Sequence, residues 1–262
     1  MSLDPPVLFT WDFQTKSLIR DERSILMSTE EAAVDSSCGN SDRIKWGTII
    51  PLIGGSSLGC EKSTGSLPQF HLGFSKFASN DKHIRRYRPK VPYYNLDVNP
   101  NVELGQVDYV NSVCPCAGLS TMNVSKDRGS NADSNHWMLD TSTYILSKLR
   151  PAVMWGENAP GLFTTAGEGL VQKLCEIGVK LGYSFSLMRT STVLHGIPQR
   201  RVRTFYFFWN SPTVPMMNYK RVVSKDWLSY LKEIPEDASQ QVSYTFSWEV
   251  YISVSFRICL LL

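Results

Sequence analysis

The segment VDYVNSVCPCAGLS, residues 107–120, joins a strand pattern to a cysteine-bearing turn. Its first seven residues are rich in valine and include a tyrosine, which predicts a strand. Cys116 then lies between Pro115, which fixes the backbone, and Ala117-Gly118, which lets the chain turn tightly. Open α/β sheets carry their chemistry at the carboxyl ends of the strands. The segment therefore predicts a reactive thiol at the exit of a parallel strand.

Strand and helix patterns alternate along the neighbouring sequence. Strands are predicted over residues 48–53, 69–78, 152–155, 185–192 and 203–209, and helices over 82–88, 137–149 and 169–181. The last helix carries an apolar stripe of Leu170, Leu174, Ile177 and Leu181. This alternation predicts an α/β fold with a mostly parallel, doubly wound sheet that has helices on both faces.

The chain divides into three regions. Residues 1–45 are polar, with a Ser/Asp/Asn/Gly cluster at 35–42, and predict an irregular N-terminal arm. Residues 46–210 carry the strand and helix patterns of a catalytic core. Residues 211–262 are less organised, and we interpret them as a C-terminal remnant or a truncated recognition region. Residues 242–262 are apolar, but Glu249 and Arg257 interrupt them, which argues against a membrane span.

Composition narrows the class of protein. A hydrophobic fraction of 42% and a charged fraction of 19% indicate a globular protein and argue against disorder. The net charge of +3 permits nucleic-acid binding without requiring it. The six cysteines are irregularly spaced and no secretory signal precedes them, which predicts reduced thiols in an intracellular protein. Cys114-Pro115-Cys116 is too short a spacing for a zinc site and no second pair follows, so no metal is predicted.

Two further segments carry candidate site residues. In WGENAPGL, residues 155–162, Glu157 follows a short apolar strand, where burial would raise its pKa and keep a proton available near neutral pH. In HGIPQRRVRTFYFFW, residues 195–209, Gln199, Arg201 and Arg203 alternate along a predicted strand and share one face. The alternatives are a surface-loop glutamate and a structural salt bridge.

In order, spacing and identity, the three segments resemble the DNA (cytosine-5)-methyltransferase family over about residues 48–209. The resemblance implies a Rossmann-like fold that uses S-adenosylmethionine. It also implies that Cys116 adds to carbon 6 of a cytosine, that Glu157 assists at ring nitrogen 3, and that Arg203 contacts the base while Arg201 braces the active-site loop. We expect nearby positive charge to lower the pKa of Cys116. The alternative is a buried structural cysteine, which is our interpretation of Cys114.

The resemblance also implies a site for S-adenosylmethionine. GGSSLG, residues 54–59, follows a predicted strand and resembles the family's glycine-rich cofactor loop, which makes Gly54, Gly55 and Pro115 candidate cofactor-binding residues. Thr48, Ile50 and Leu52 occupy the positions where the family has Asp, Phe and the first Gly. Asp81, which we place at the end of the second strand, is the candidate for the ribose hydroxyls, and Asp97 resembles the adenine-contacting aspartate. Ordinary turn or cap roles are the alternative for both.

DNA is the partner that the resemblance implies. A duplex base must leave the stack before a thiol can reach carbon 6. Ser120, Lys126 and Arg128, in and after the cysteine turn, together with Asn158, are the candidates for substrate contact, because a polar loop carrying cations can close over the base and hold phosphates. The alternative for the loop is a solvated surface, and tRNA is the alternative substrate.

The C-terminal region departs from the family pattern. Family members continue into a variable target-recognition domain and a return helix, and residues 210–262 match neither. We expect that the N-terminal arm replaces the helix, that a second chain supplies target recognition, or that the chain is an inactive, truncated regulatory homologue. An active enzyme would fit restriction–modification or viral DNA self-protection, in the cytoplasm of a bacterium or virus-infected cell or in the nucleus, without a membrane.

Overall fold

The computed structural model describes residues 7–12, 17–20, 25–28, 44–120, 128–215, 217–220 and 227–232. The strands are β1 (Val7–Asp12), β2 (Ser17–Arg20), β3 (Ile25–Ser28), β4 (Trp46–Ile49), β5 (Phe70–Gly73), β6 (Tyr93–Asn95), β7 (Tyr109–Ser112), β8 (Val153–Asn158), β9 (Ser184–Ser191), β10 (Val202–Trp209) and β11 (Met217–Lys220). The helices are α1 (Gly55–Thr64), α2 (Ala78–Tyr87), α3 (His136–Tyr144), α4 (Glu168–Lys180) and α5 (Trp227–Lys232). None of the described helices is long and apolar enough to cross a bilayer.

Nine of the strands form one sheet in the order β2-β1-β9-β10-β8-β7-β4-β5-β6. The five strands from β8 to β6 run parallel, and β10 is inserted antiparallel between β8 and β9. The mixed, mostly parallel α/β sheet confirms the predicted fold class. Because β7 and β8 are parallel neighbours, the segments that follow them leave the sheet at the same edge.

Side chains alternate between two faces of the sheet, and each face has its own hydrophobic core. In β10, Phe208 packs into the cluster that contains Leu170 of α4, whereas Phe207 packs into the cluster that contains Cys60 of α1. The predicted stripe of α4 faces the first cluster, with Leu170 and Leu174 fully buried. The sheet is therefore covered on both sides, as the alternating sequence pattern predicts.

The prediction of an irregular N-terminal arm is wrong where the arm is described. β1 pairs antiparallel with β9, with Phe9 opposite Leu187, and β2 pairs with β1. β3 pairs with β11 in a separate two-stranded sheet. The segment VLFTWD of β1 is rich in β-branched and aromatic residues, and it satisfies the open hydrogen-bonding edge of β9. The boundaries at residues 45 and 210 stay predictions, and residues 242–262 lie outside the described part of the chain.

The predicted strand over residues 69–78 is also wrong in its second half. β5 ends at Gly73, residues 75–77 form a single 3₁₀ turn, and α2 begins at Ala78, four residues earlier than predicted. Phe77 and Ile84 point into the protein at a spacing of seven, which is a helical period. Asp81 consequently lies in the first turn of α2 and not at the end of a strand.

Two buried titratable side chains, His71 in β5 and Asp81 in the first turn of α2, have pKa values that shift in opposite directions. Burial, with a smaller contribution from Arg88, lowers the pKa of His71 from 6.5 to about 4. Burial raises the pKa of Asp81 from 3.8 to about 6, against hydrogen bonds from Tyr93 and the Leu52 amide and the charge of Arg85. Between pH 6.5 and 4 the unfolded chain binds the proton of residue 71 more tightly than the folded chain does, so this group makes stability fall as the pH falls. Between pH 6 and 3.8 the folded chain binds the proton of residue 81 more tightly, so stability rises as pH falls.

We expect the two contributions, each about 3 kcal/mol, to cancel largely in the native protein. His71→Leu should leave a protein whose free energy of unfolding rises, relative to that of the native protein, as the pH falls from 6.5 to 4. Asp81→Asn should show the opposite slope. Urea unfolding at four or five pH values measures both, and parallel curves for the native protein and either variant would contradict the assignment.

Candidate active site

Cys116 lies on the turn that follows β7, at the edge where the parallel strands end. It precedes a 3₁₀ turn over Ala117–Leu119, and its side chain is exposed. The neighbouring strand β8 ends with Glu157 and Asn158. The charge of Glu157 and those of Arg203 and Arg201 all act on the Cys116 thiol, so the structure brings these four predicted residues together.

Glu157 and Arg203 form an ion pair between β8 and β10. Arg203 Nε lies 2.6 Å from Glu157 Oε1, and the side chains are 21% and 10% exposed, respectively. The antiparallel register sets this contact, because Phe205 lies opposite Glu157 and places Arg203 just beyond the end of β8. The guanidinium also donates from Nη1 to the carbonyl of Val202, 2.8 Å away. Arg203 therefore holds the carboxylate in one orientation beside Cys116.

The predicted lowering of the Cys116 pKa is wrong. Partial burial and the negative charge of Glu157 raise the pKa of the thiol above its ordinary value, and the guanidinium groups of Arg203 and Arg201 offset only part of the increase. Desolvation disfavours the thiolate in the same way that it disfavours any charged group. The two arginines thus limit the rise in the pKa of the thiol and do not reverse it.

The shared strand face predicted for Gln199, Arg201 and Arg203 is wrong for the first two, because β10 begins at Val202. Gln199 is exposed on the preceding turn. Thr192, which the sequence did not single out, organises this turn: its hydroxyl accepts from the Arg201 amide at 2.9 Å and donates to the carbonyl of Gln199. Thr192 is buried directly after β9. Its position fixes the backbone from which Arg201 extends.

The predicted substrate contacts differ in accessibility. Asn158 is completely buried, and its Oδ1 accepts from the Ala159 amide at 2.8 Å, so it stabilises the end of β8. Ser120 is half-buried on the cysteine turn, and Arg128 is exposed. Lys126 lies outside the described residues. The substrate-binding roles of these four residues stay predictions.

A buried cluster of polar side chains surrounds Cys114, two residues before Cys116. Cys114 Sγ lies 3.0 Å from the Ser112 hydroxyl and 3.3 Å from that of Thr141, and burial raises the pKa of the thiol. This confirms the interpretation of Cys114 as a core residue.

Tyr206 packs against Gly156, where an added Cβ would lie 2.2 Å from the Tyr206 ring. The glycine between Trp155 and Glu157 is thus required by packing, a role that its sequence motif did not reveal.

The β4–α1 connection has the backbone of a glycine-rich turn with fewer glycines. Gly54 precedes α1 with a φ of 96°, but Ile50 and Leu52 also adopt left-handed φ values of 52° and 50°. Leu52 therefore keeps the conformation that glycine adopts readily, at an energetic cost that a side chain imposes. The residues of GGSSLG after Gly54 do not form a turn as predicted, because they are the first residues of α1.

A closed network of buried hydrogen bonds fixes the start of α1 on the sheet. Thr48 Oγ1 donates to Asn111 Oδ1 at 2.8 Å, and Asn111 Nδ2 donates to Ser56 Oγ at 2.8 Å. Thr48 Oγ1 also lies 3.1 Å from Ser57 Oγ. Thr48, at the position where the resemblance places an aspartate, thus links β4, β7 and the first turn of α1.

Of the two predicted cofactor carboxylates, only one is presented at this edge. Asp97 is exposed, and its Oδ2 accepts from the Ser75 amide at 2.7 Å, which places it where β5 and β6 end. Asp81 is completely buried and accepts from the Tyr93 hydroxyl at 2.6 Å. The first turn of α1 has no side-chain cap, so its amides remain as donors. Gly54, Gly55 and Asp97 at one edge fit S-adenosylmethionine, whereas Asp81 does not face a ligand.

Replacing Gly54 tests how rigidly this turn is built. Gly54→Ala combines a left-handed φ with a Cβ that would lie 2.5 Å from Ile84 Cδ1, whereas Gly65, after α1, has a φ of 65° and no atom within 4 Å of an added Cβ. We expect Gly65→Ala to lower the free energy of unfolding by about 1 kcal/mol and Gly54→Ala by about 2–3 kcal/mol. Calorimetric titration with S-adenosylmethionine should show weaker binding for Gly54→Ala alone. Equal stability and equal binding in both variants would contradict this account of the turn.

Comparison with known proteins gives a consistent result. The family model for C-5 cytosine-specific DNA methylase matches residues 53–256, most of the chain. The fold is similar to that of a candidate DNA modification methyltransferase encoded within a prophage (Escherichia coli), with 18% identity, a TM-score of 0.52, and coverage of 74% of this chain and 56% of that one. It is also similar to the Entamoeba histolytica methyltransferase EhMeth, with 17% identity, a TM-score of 0.51, and coverage of 71% and 58%. No curated protein matches in sequence. The matched part thus spans less than two thirds of either solved protein.

Proposed function

The chain belongs to the C-5 cytosine-specific DNA methylase family, and from that premise we propose that it transfers a methyl group from S-adenosylmethionine to carbon 5 of cytosine in DNA. Members of this family use S-adenosylmethionine. The observation that carries the proposal is the grouping of Cys116, Glu157 and Arg203 at the adjoining ends of β7, β8 and β10. A nucleophile, a carboxyl group and a cation in contact with it are the three groups that the reaction requires.

Two residues of this chain account for the attack on the ring and for the charge that the attack produces. The Cys116 thiolate forms a bond to carbon 6, and the electron pair of the carbon 5–carbon 6 double bond moves into the ring. Glu157 hydrogen-bonds or protonates ring nitrogen 3 as negative charge accumulates there. S-adenosylmethionine supplies the electrophilic methyl group that carbon 5 takes. Transfer of the carbon 5 proton to solvent water then restores the carbon 5–carbon 6 double bond, while the bond from carbon 6 to sulfur breaks and expels Cys116 as a thiolate.

Arg203 has two roles in this scheme. Its guanidinium fixes the Glu157 carboxylate at 2.6 Å, and its positive charge favours the Cys116 thiolate. Of its donors, one contacts Glu157 and another the carbonyl of Val202. The planar guanidinium has five donors, which leaves others for the carbonyl oxygen of the base.

The site needs cytosine presented outside the helical stack, since Cys116 and Glu157 have to approach the edge of the ring. Arg128, which is exposed, is a candidate for phosphate contact. Family membership supports a role in restriction–modification or viral DNA self-protection. The matched part of this chain spans less than two thirds of the solved proteins of similar fold, and target recognition by a second chain is a separate proposal that the assay below includes.

Transfer of a labelled methyl group tests the proposal directly. The purified chain is incubated with labelled S-adenosylmethionine and either duplex DNA or tRNA, with Cys116→Ser as the inactive control. Label in DNA that appears as 5-methylcytosine supports the proposal. Label in tRNA alone would overturn the choice of DNA. No label in either substrate, with DNA of mixed sequence and with an added recognition chain, would overturn enzymatic activity.

A further inference from the structure

The cysteine turn, residues 116–120, is held between two other segments. The Gly129 amide donates to the Gly118 carbonyl at 2.8 Å, and the Gly118 amide donates to Ser134 Oγ at 3.1 Å. On the opposite side, Gly161 packs so closely that an added Cβ would lie 2.2 Å from the Leu119 carbonyl oxygen. The turn that carries Cys116 is therefore held from both sides through its backbone groups, in addition to the burial of its Leu119 side chain.

One buried side chain organises the segment that contacts Gly118. Asn135 is 2% exposed, and its Nδ2 donates to the carbonyl of Gly129 at 2.8 Å and to that of Ser130 at 3.1 Å. The Asn135 side chain also lies against Gly118, where an added Cβ would be 3.0 Å from Asn135 Oδ1. The side-chain amide of Asn135 thus connects residues 129–130 to the turn that carries Cys116.

The position of Asn135 makes this use of its side chain informative. Asn135 directly precedes α3 and ends a 3₁₀ turn over Asp133–Asn135, and its helical φ and ψ of −76° and −18° differ from the extended conformation in which asparagine normally accepts from the first helical amides. The side chain makes no such capping bond. Its Nδ2 donors are instead directed at the carbonyls of Gly129 and Ser130, so the side chain holds this segment and does not cap the helix.

We propose that Asn135 is a positioning residue, which sets the Cys116 turn in the orientation required for attack on carbon 6 by holding Gly129 against Gly118. The catalytic consequence rests on the function proposed above; the structural consequence does not. Misplacement of a nucleophile by about 1 Å costs on the order of 100-fold in rate. Loss of the Asn135 donors releases the segment that fixes Gly118, so an effect of that order is expected.

The isosteric change Asn135→Asp separates positioning from helix capping. Aspartate has the same shape and is an equally good N-cap, but it cannot donate to the carbonyls of Gly129 and Ser130. We expect the rate of covalent adduct formation with 5-fluorocytosine DNA to fall about 30- to 100-fold, with less than a threefold change in KM for DNA. The amides of Gly118 and Gly129 should exchange with solvent at least about tenfold faster, while the core amides of β7 and β8 keep their protection. Asn131→Asp, exposed in the same segment, is the matched control and should leave both measurements unchanged.

A second variant keeps the test decisive. Ser134→Ala removes the bond from the Gly118 amide and leaves the Asn135 contacts in place, and a fall of about fivefold in adduct formation is expected. If Asn135→Asp forms adduct at the native rate and leaves exchange at Gly118 and Gly129 unchanged, the proposal is overturned. If the native protein forms no adduct with any substrate, the proposed function fails, while the exchange measurement still decides whether Asn135 positions the turn.

Discussion

Cys116→Ser is expected to abolish the covalent complex that the native protein forms with 5-fluorocytosine DNA and S-adenosylmethionine. Fluorine at carbon 5 cannot leave as a proton, so the native enzyme remains attached to the base after methyl transfer. A serine hydroxyl is a far weaker nucleophile than a thiolate, and loss of the nucleophile costs at least about 10⁴-fold in rate. Denaturing electrophoresis after incubation shows the complex as a shifted band.

Cys114→Ser is the matched control for this prediction. Cys114 lies two residues away, is buried, and is hydrogen-bonded to Ser112 and Thr141, so serine can replace it with its contacts retained. We expect this variant to form the adduct. A shifted band that survives in Cys116→Ser but disappears in Cys114→Ser would identify Cys114 as the nucleophile and overturn the proposed mechanism.

The pH dependence of adduct formation follows from the environment of Cys116. Partial burial and Glu157 raise the pKa of the thiol, so the thiolate fraction increases with pH throughout the neutral range and beyond the ordinary pKa of a free cysteine. The rate of adduct formation in the native protein should rise accordingly. A rate that levels off below neutral pH would mean that the two arginines outweigh burial.

The sequence predicted the parts of the site that are local in the chain. Cys116 follows one strand and Glu157 lies at the end of the next, and the ends of parallel strands converge at one edge whatever the details of packing. A strand pattern followed by a reactive side chain therefore suffices to bring the two residues together. The different exposure of Cys114 and Cys116 was not predictable from alternation, because residues two apart share a face in an extended segment; it follows from the turn that the chain makes after β7.

Contacts that depend on pairing between distant strands were not predictable in the same way. The Glu157–Arg203 ion pair requires β10 to lie antiparallel to β8 in one register, and a shift of one residue would turn Arg203 to the other face. The pairing of β1 with β9 is similarly non-local. The position of Asp81 was missed for a different reason, since an apolar run such as that around Phe77 fits a strand or a helix until its seven-residue spacing to Ile84 is considered.

Substitutions in the ion pair between Arg203 and Glu157 should affect the free energy of unfolding and the rate of methyl transfer differently. Arg203→Ala leaves a carboxylate that is 10% exposed without its cation, and we expect the free energy of unfolding to fall by about 2–3 kcal/mol, somewhat less than for a fully buried pair. Glu157→Gln leaves a more exposed guanidinium and should cost about 1 kcal/mol. The double variant should be more stable than Arg203→Ala, because the carboxylate that lost the Arg203 guanidinium is gone, with a coupling of about 2 kcal/mol.

Catalysis should not recover in the double variant. Each single change removes a group that acts on the ring or on the nucleophile, and each is expected to lower kcat about 100- to 1000-fold. Urea unfolding and labelled methyl transfer are measured on the native protein, the two single variants and the double variant, which gives one double-mutant cycle for stability and one for catalysis. Arg189→Ala, which removes an exposed arginine on the neighbouring β9, is the charge control. If Glu157 served only to neutralise Arg203, Glu157→Gln would keep methyl transfer near the native rate, because Arg203 is still present. Loss of methyl transfer in Glu157→Gln, together with a fall of only about 1 kcal/mol in the free energy of unfolding, is the result that assigns the carboxyl group to the chemistry.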